Sequence, residues 1–132
     1  MKQTPVLIDT SVWIGYFRNN DDENILIDLF DSNRVVINDV VLAELLPAMN
    51  AYGKKDPVEK MRAIERLPVF VNWEGLIALQ TTCMKNGING ISLSDLMIAQ
   101  TAIEYKISIF SKDKHFKLIN ELLKFEIFNP PD

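Results

Sequence analysis

The chain has 132 residues, of which 48% are hydrophobic and 24% charged, the ordinary composition of one globular domain spanning 1–132. A net charge of −4 argues against nucleic-acid binding through a broad basic face, because neutralisation of phosphates by Lys and Arg normally dominates that affinity. A nuclease stays open, since two divalent cations would carry the charge to zero at the scissile phosphate. The single cysteine, Cys83, rules out an internal disulfide or a thiolate metal cluster.

From the N-terminus, Met1-Lys2-Gln3-Thr4-Pro5 leads directly into the strand-like run Val6-Leu7-Ile8 and not into a signal-peptide core. No stretch approaches the roughly 18 uncharged apolar residues of a membrane helix, so a cytoplasmic protein is expected. Asp9 closes the first run, and Thr10-Ser11 opens a short helix that ends by Asn19-Asn20-Asp21-Asp22. Helical spacing follows at Ile25, Leu26, Leu29 and Phe30, and a second strand at Val35-Val36-Ile37. Val41, Leu42, Leu45 and Leu46 predict a helix that kinks or ends near Leu46, because the Pro47 ring clashes with the preceding turn. Pro57 to Leu67 reads as an extra helix, and Val69-Phe70-Val71 as a third strand. Leu76, Leu79 and Cys83 share an apolar helical stripe, which makes the thiol a core residue. Ile98, Ala99, Ala102 and Ile103 mark another helix, Ile107 to Phe110 a strand, Phe116 to Leu123 a helix, and Phe125 to Phe128 a weaker strand. Strand and helix alternate throughout. The alternation predicts an α/β fold with a mainly parallel central sheet of about five strands, helices on both faces, and a crevice at the strand C-termini.

Four carboxylates end or follow the most apolar stretches: Asp9, Glu44, Asp95 and Asp113. Charges in such places need partners, and a divalent metal site is the most economical common cause. Each also has a local explanation. Asp9 and Asp113 stand where helix N-caps are expected, and Ser92-Leu93-Ser94-Asp95 fits a capping box. Glu44 shares a helix side with Val40 and Val41, which disfavours a solvated position unless Pro47 turns the helix enough to expose it, and Asp95 shares the stripe of Ile98, Ala99 and Ala102. Four acids in one crevice would raise each other's pKa values unless cations intervened. Mg²⁺ or Mn²⁺ suits oxygen ligands, and no Cys or His cluster is available for zinc.

The segments Val6-Leu7-Ile8-Asp9-Thr10-Ser11-Val12-Trp13-Ile14, Val40-Val41-Leu42-Ala43-Glu44-Leu45, Ser94-Asp95-Leu96-Met97-Ile98-Ala99-Gln100-Thr101-Ala102 and Ser111-Lys112-Asp113-Lys114-His115-Phe116 carry a resemblance. In order and spacing they resemble the PIN-domain ribonucleases, especially the virulence-associated protein C toxins of bacterial toxin–antitoxin modules. The resemblance implies a Mg²⁺/Mn²⁺ site at Asp9, Glu44, Asp95 and Asp113, with the Ser11 hydroxyl supporting the metal-water network. It also implies metal-dependent cleavage of RNA, a homodimer, and a cognate antitoxin on the catalytic groove. Many relatives carry another acid where this chain has His115, which is read beside Lys114 and Phe116 as a surface side chain. Pro47 and Gln100 replace the small residues common in the family, which bears on groove shape. Arg18, Lys54, Lys55, Lys112 and Lys114 read as scattered surface charge.

Two other functions compete. One is a non-catalytic α/β binding module. The other is phosphotransfer through Asp9, as in haloacid-dehalogenase-like phosphatases or receiver domains, although the phosphatases expect a second aspartate where Ser11 stands.

Overall fold

The computed structural model describes residues 3–130 and runs β1 (Val6–Ile8), α1 (Thr10–Asn19), α2 (Glu23–Asp31), β2 (Val35–Ile37), α3 (Asp39–Ala51), α4 (Lys55–Arg62), β3 (Glu65–Arg66), α5 (Trp73–Lys85), α6 (Leu93–Tyr105), β4 (Ser108–Phe110), α7 (His115–Leu122) and β5 (Glu126–Ile127). The five strands form one parallel sheet in the order β3-β2-β1-β4-β5. The three central triplets, in β2, β1 and β4, are buried at every position, as parallel strands covered on both faces must be. The expected α/β architecture is therefore present. Among the described residues no helix is long and apolar enough to cross a membrane.

Strand order decides where a site can form. After β1 the chain builds outward to β2 and β3 on one side, then returns across the sheet to place β4 on the other side of β1. The switch in direction lies between β1 and β4, where helix connections diverge and leave a crevice beyond the strand C-termini. Register does the rest: Ile8 pairs with Phe110, and the Asp9 amide continues the ladder by donating to the Phe110 carbonyl at 2.9 Å.

Three predicted elements differ from what forms. The edge strand is Glu65–Arg66, not Val69-Phe70-Val71, and Phe70 is 76% exposed. Leu67 N–H makes the last bond to β2, donating to the Ile37 carbonyl at 2.8 Å, and Pro68 has no N–H to continue. The extra helix spans Lys55–Arg62, so Pro57 lies in its first turn, where no intrahelical donor is required. Finally, α3 does not end near Leu46, one of the two outcomes expected of Pro47, but continues through it to Ala51. Ala43, whose carbonyl loses its partner, and Pro47 are both exposed, so water can satisfy the freed group. Cys83 is buried among the core residues of α5, as its stripe requires, and burial pushes its thiol pKa up.

One buried polar pair ties this frame together. Asn38 caps α3 by accepting from Val41 N–H at 3.0 Å, and its amide donates to the Thr101 hydroxyl of α6 at 3.0 Å. Asn38 is wholly buried, so its replacement leaves the Val41 N–H without a partner and deprives the Thr101 hydroxyl of its donor, although that hydroxyl still donates to the Met97 carbonyl. Asn38→Ala is expected to lower unfolding free energy by about 2–3 kcal/mol, combining a lost cap with a buried unsatisfied group, as measured by urea denaturation.

Candidate metal centre

Asp9 follows β1 directly and caps α1, its Oδ2 accepting from Ser11 N–H at 3.3 Å. The Ser11 hydroxyl donates to the same oxygen at 2.8 Å, and the Ser111 hydroxyl does so at 2.9 Å from the end of β4. Those hydroxyls are themselves held: Ser11 Oγ accepts from Lys112 N–H at 3.0 Å and Ser111 Oγ from Asp113 N–H at 2.9 Å. The two strand ends are thereby laced through one carboxylate that is only 4% exposed. All three bonds to Asp9 fall on Oδ2, which leaves Oδ1 as the oxygen available to a cation.

Asp95 opens α6 in the predicted capping box, with Ser92 Oγ accepting from Asp95 N–H at 3.1 Å and Asp95 Oδ2 accepting from Ser92 N–H at 3.4 Å. The cap does not exhaust the residue. Burial is the largest influence on its carboxyl and raises the pKa, the Ser92 bonds oppose that, and repulsion from Asp113 and Asp9 raises it further. Asp113 turns the chain from β4 into α7, its Oδ1 accepting from His115 N–H at 2.9 Å. Asp113 and Asp9 thus both act electrostatically on Asp95 at the β1/β4 switch point.

Glu44 joins from α3 in a different way. Contrary to the reading from Val40 and Val41, it is an exposed residue. The helix carries its side chain past the apolar stripe to the rim, where Oε1 accepts from Thr10 Oγ1 at 2.8 Å and Oε2 from Ser94 Oγ at 3.3 Å. Thr10 adjoins Asp9 and Ser94 adjoins Asp95, so two hydroxyls fasten Glu44 to the N-terminal ends of α1 and α6. The positive ends of α1, α6 and α7 all face this acidic rim, which offsets part of the repulsion.

His115 is not the surface side chain expected from its neighbours. It is half-buried, with Nδ1 3.1 Å from Asp113 Oδ1 and 3.8 Å from Asp95 Oδ2. Asp95, Asp113 and His115 offer ligand atoms that all lie within 4.8 Å of one another, a spacing that one metal ion can span. Their donor set, two carboxylates and one imidazole, is chemically fit for a divalent cation of the first transition row. Sequence reasoning also passed over Ser111, Thr10 and Ser94. Their only signal was adjacency to the acids, and hydroxyl residues are common beside helix starts for capping alone.

Lys112 is not a free surface charge. Its ammonium lies 2.7 Å from Asp22 and 3.7 Å from Asp21, and the bond to Asp22 is the main cause of its raised pKa. This pins the α1–α2 turn, where Asp22 adopts φ 58°, over the strand end that carries Ser111. Gly15 makes room, since a Cβ there would stand 3.0 Å from Asp21 Oδ2. Gln100 bonds through Nε2 to the Asn72 carbonyl at 3.0 Å, holding α6 against the start of α5 away from the acids.

A family model, the PIN domain, matches residues 6–122. Among solved structures, the chain is similar to one in VapBC2 from Rickettsia felis bound to a DNA fragment from their promoter, with a TM-score of 0.73 and 21% identity, covering 96% of this chain and 98% of that one. It is also similar to a chain of VapBC-5 from Mycobacterium tuberculosis, with a TM-score of 0.70 and 23% identity over 97% and 100% of the two chains. A third is FitAcB from Neisseria gonorrhoeae, at 0.68 and 24% over 95% and 97%.

The crowding at Asp95 has a measurable consequence without metal. Because its folded-state pKa stands above 3.8, the fold favours the protonated form; that contribution is complete below the unfolded value and is lost as pH rises through the folded one. In chelator-treated protein, Asp95→Asn is expected to melt at or above the wild-type temperature at pH 7. The advantage should vanish below about pH 3.8, where wild-type Asp95 is itself neutral, as followed by circular-dichroism melts.

Proposed function

The chain belongs to the PIN-domain family, and on that premise we propose that it is a divalent-metal-dependent endoribonuclease, the toxin of a toxin–antitoxin pair. The observation that carries this reading is that Asp95 and Asp113 offer ligand oxygens within 4.8 Å of each other at the β1/β4 switch point, with Asp9 acting on Asp95 electrostatically and Glu44 fastened to the same rim. Asp9, Glu44, Asp95 and Asp113 would hold Mg²⁺ or Mn²⁺. A bound divalent cation supplies Lewis acidity toward a phosphate oxygen and a water of lowered pKa.

The protein's own residues do the positioning. Ser11 and Ser111 fix the rotamer of Asp9 through Oδ2 and so present Oδ1 at a constant place. Ser92 holds Asp95, the His115 amide holds Asp113, and Thr10 with Ser94 hold Glu44, so each acid is oriented before any ligand arrives. Such preorganisation matters because a charge that must move to its post costs reorganisation energy during reaction. The acids also repel bare RNA, which makes cation loading a precondition for substrate approach.

Partner binding has support of its own. Beside Glu44, α1 and α3 enclose a groove of about 400 Å³ lined by Ile14, Phe17, Leu45, Ala48 and Tyr52, with Arg18 and Lys54 at its edge. Ile14, Phe17 and Tyr52 are exposed there, and an antitoxin segment with an apolar face and acidic flanks would cover them. We assign this groove to the antitoxin. A homodimer is part of the same proposal.

The purified chain is expected to cleave RNA with Mn²⁺ or Mg²⁺ and to stop on chelation. Asp9→Asn and Asp95→Asn should each reduce the rate about 100-fold or more, whereas Ser11→Ala, which only loosens Asp9, should cost less. Full activity in both aspartate variants, free of contaminating nuclease, would sink the proposal. Isolated with its partner, the chain should lose that partner on Phe17→Glu while keeping its basal cleavage, as read by size-exclusion chromatography.

A further inference from the structure

We infer that His115 is itself a ligand of the bound cation, alongside Asp95 and Asp113, and that this nitrogen gives the site a preference for Mn²⁺ and later first-row ions over Mg²⁺. The inference rests on the reading of the acidic rim as a metal centre. It goes beyond that reading by adding a residue and a selectivity.

Adjacent ligands of a six-coordinate ion with bonds near 2.1 Å lie about 3 Å apart. Nδ1 of His115 is 3.1 Å from Asp113 Oδ1 and 3.8 Å from Asp95 Oδ2, distances of that order between atoms from three separate residues. The imidazole is directed there by the backbone. His115 N–H donates to Asp113 Oδ1, closing the turn that opens α7, so the ring is anchored on the same side as the carboxylate. On the ring's other edge, Nε2 approaches Gly90, where a Cβ would stand 3.9 Å away, and Nδ1 is thus the nitrogen turned toward the acids.

Chemistry then decides between ions. Mg²⁺ is hard, keeps its waters and takes oxygen donors, so an imidazole adds little to its binding. For Mn²⁺, Co²⁺ and their neighbours a neutral nitrogen is a good ligand, with affinity rising along the row. A site of carboxylates alone would lack this bias. One imidazole beside two carboxylates introduces it.

The sequence makes the test clean, because His115 is the only histidine. Tag-free protein loaded with Mn²⁺ alone is expected to show directly coordinated imidazole ¹⁴N coupling in pulsed electron paramagnetic resonance, and His115→Gln should abolish it. By calorimetry, His115→Gln should weaken Mn²⁺ at least about tenfold while changing Mg²⁺ far less. His115→Asp, which restores an oxygen donor, should keep Mn²⁺ binding and narrow the Mn²⁺/Mg²⁺ ratio, and circular-dichroism melts check that both variants fold. If Mn²⁺ binds and is lost in Asp95→Asn, yet no ¹⁴N coupling appears and the affinity ratio is unchanged in His115→Gln, the inference is overturned while the metal centre stands. If wild-type protein binds no Mn²⁺, the metal centre fails and this inference with it.

Discussion

A single buried carboxylate oxygen, Asp9 Oδ2, joins the two strands between which the site forms. Hydroxyls from both sides of the switch point converge on it, Ser11 after β1 and Ser111 after β4, and each hydroxyl accepts an amide of the segment that follows Ser111. Burying a carboxylate without such partners would be costly, so the strand ends must stay together for the charge to be tolerated. Packing alone would hold β1 beside β4. The hydroxyl lacing sets the orientation of the loop that carries Asp113 and His115.

Around that oxygen the fold solves a problem of like charges. Burial is the chief cost to the charged form of Asp95, and repulsion from Asp113 and Asp9 adds to it. Three helix N-termini, a capping box and an Asx-type turn supply local compensation. Capping and ligation are consequently not rivals at these positions. A cap leaves lone pairs of the same carboxylate unused, and orienting the group is what a cation site requires of its ligands.

Helix and strand alternation, the central triplets and the stripe containing Cys83 were legible because burial on both faces leaves an apolar run that sequence displays directly. The edge strand was not. Glu65 and Arg66 form it because Leu67 N–H reaches the Ile37 carbonyl, and a polar two-residue edge carries no hydrophobic signal, whereas Val69-Phe70-Val71 carries the signal without the donor at Pro68. The continuation of α3 through Pro47 was equally hidden, since the exposure of Ala43 depends on what packs against the helix.

For the site, the sequence by itself determined which acids could take part, because Asp9, Glu44, Asp95 and Asp113 interrupt or close apolar runs where a charge demands a reason. Their placement in three dimensions differs from one to the next: Asp9 is the most buried and most heavily bonded, and Glu44, expected on a covered face, stands exposed at the rim. Periodicity reports which side of a helix is apolar, but it does not report how far a long side chain reaches past that side. The tertiary structure alone decided that Ser111 and His115 join the acids and that Lys112 is engaged by Asp21 and Asp22. Apart from the contact of His115 with Asp113, two residues away, those contacts join segments far apart in the chain, and their distances are set by strand order and register, which no local pattern encodes.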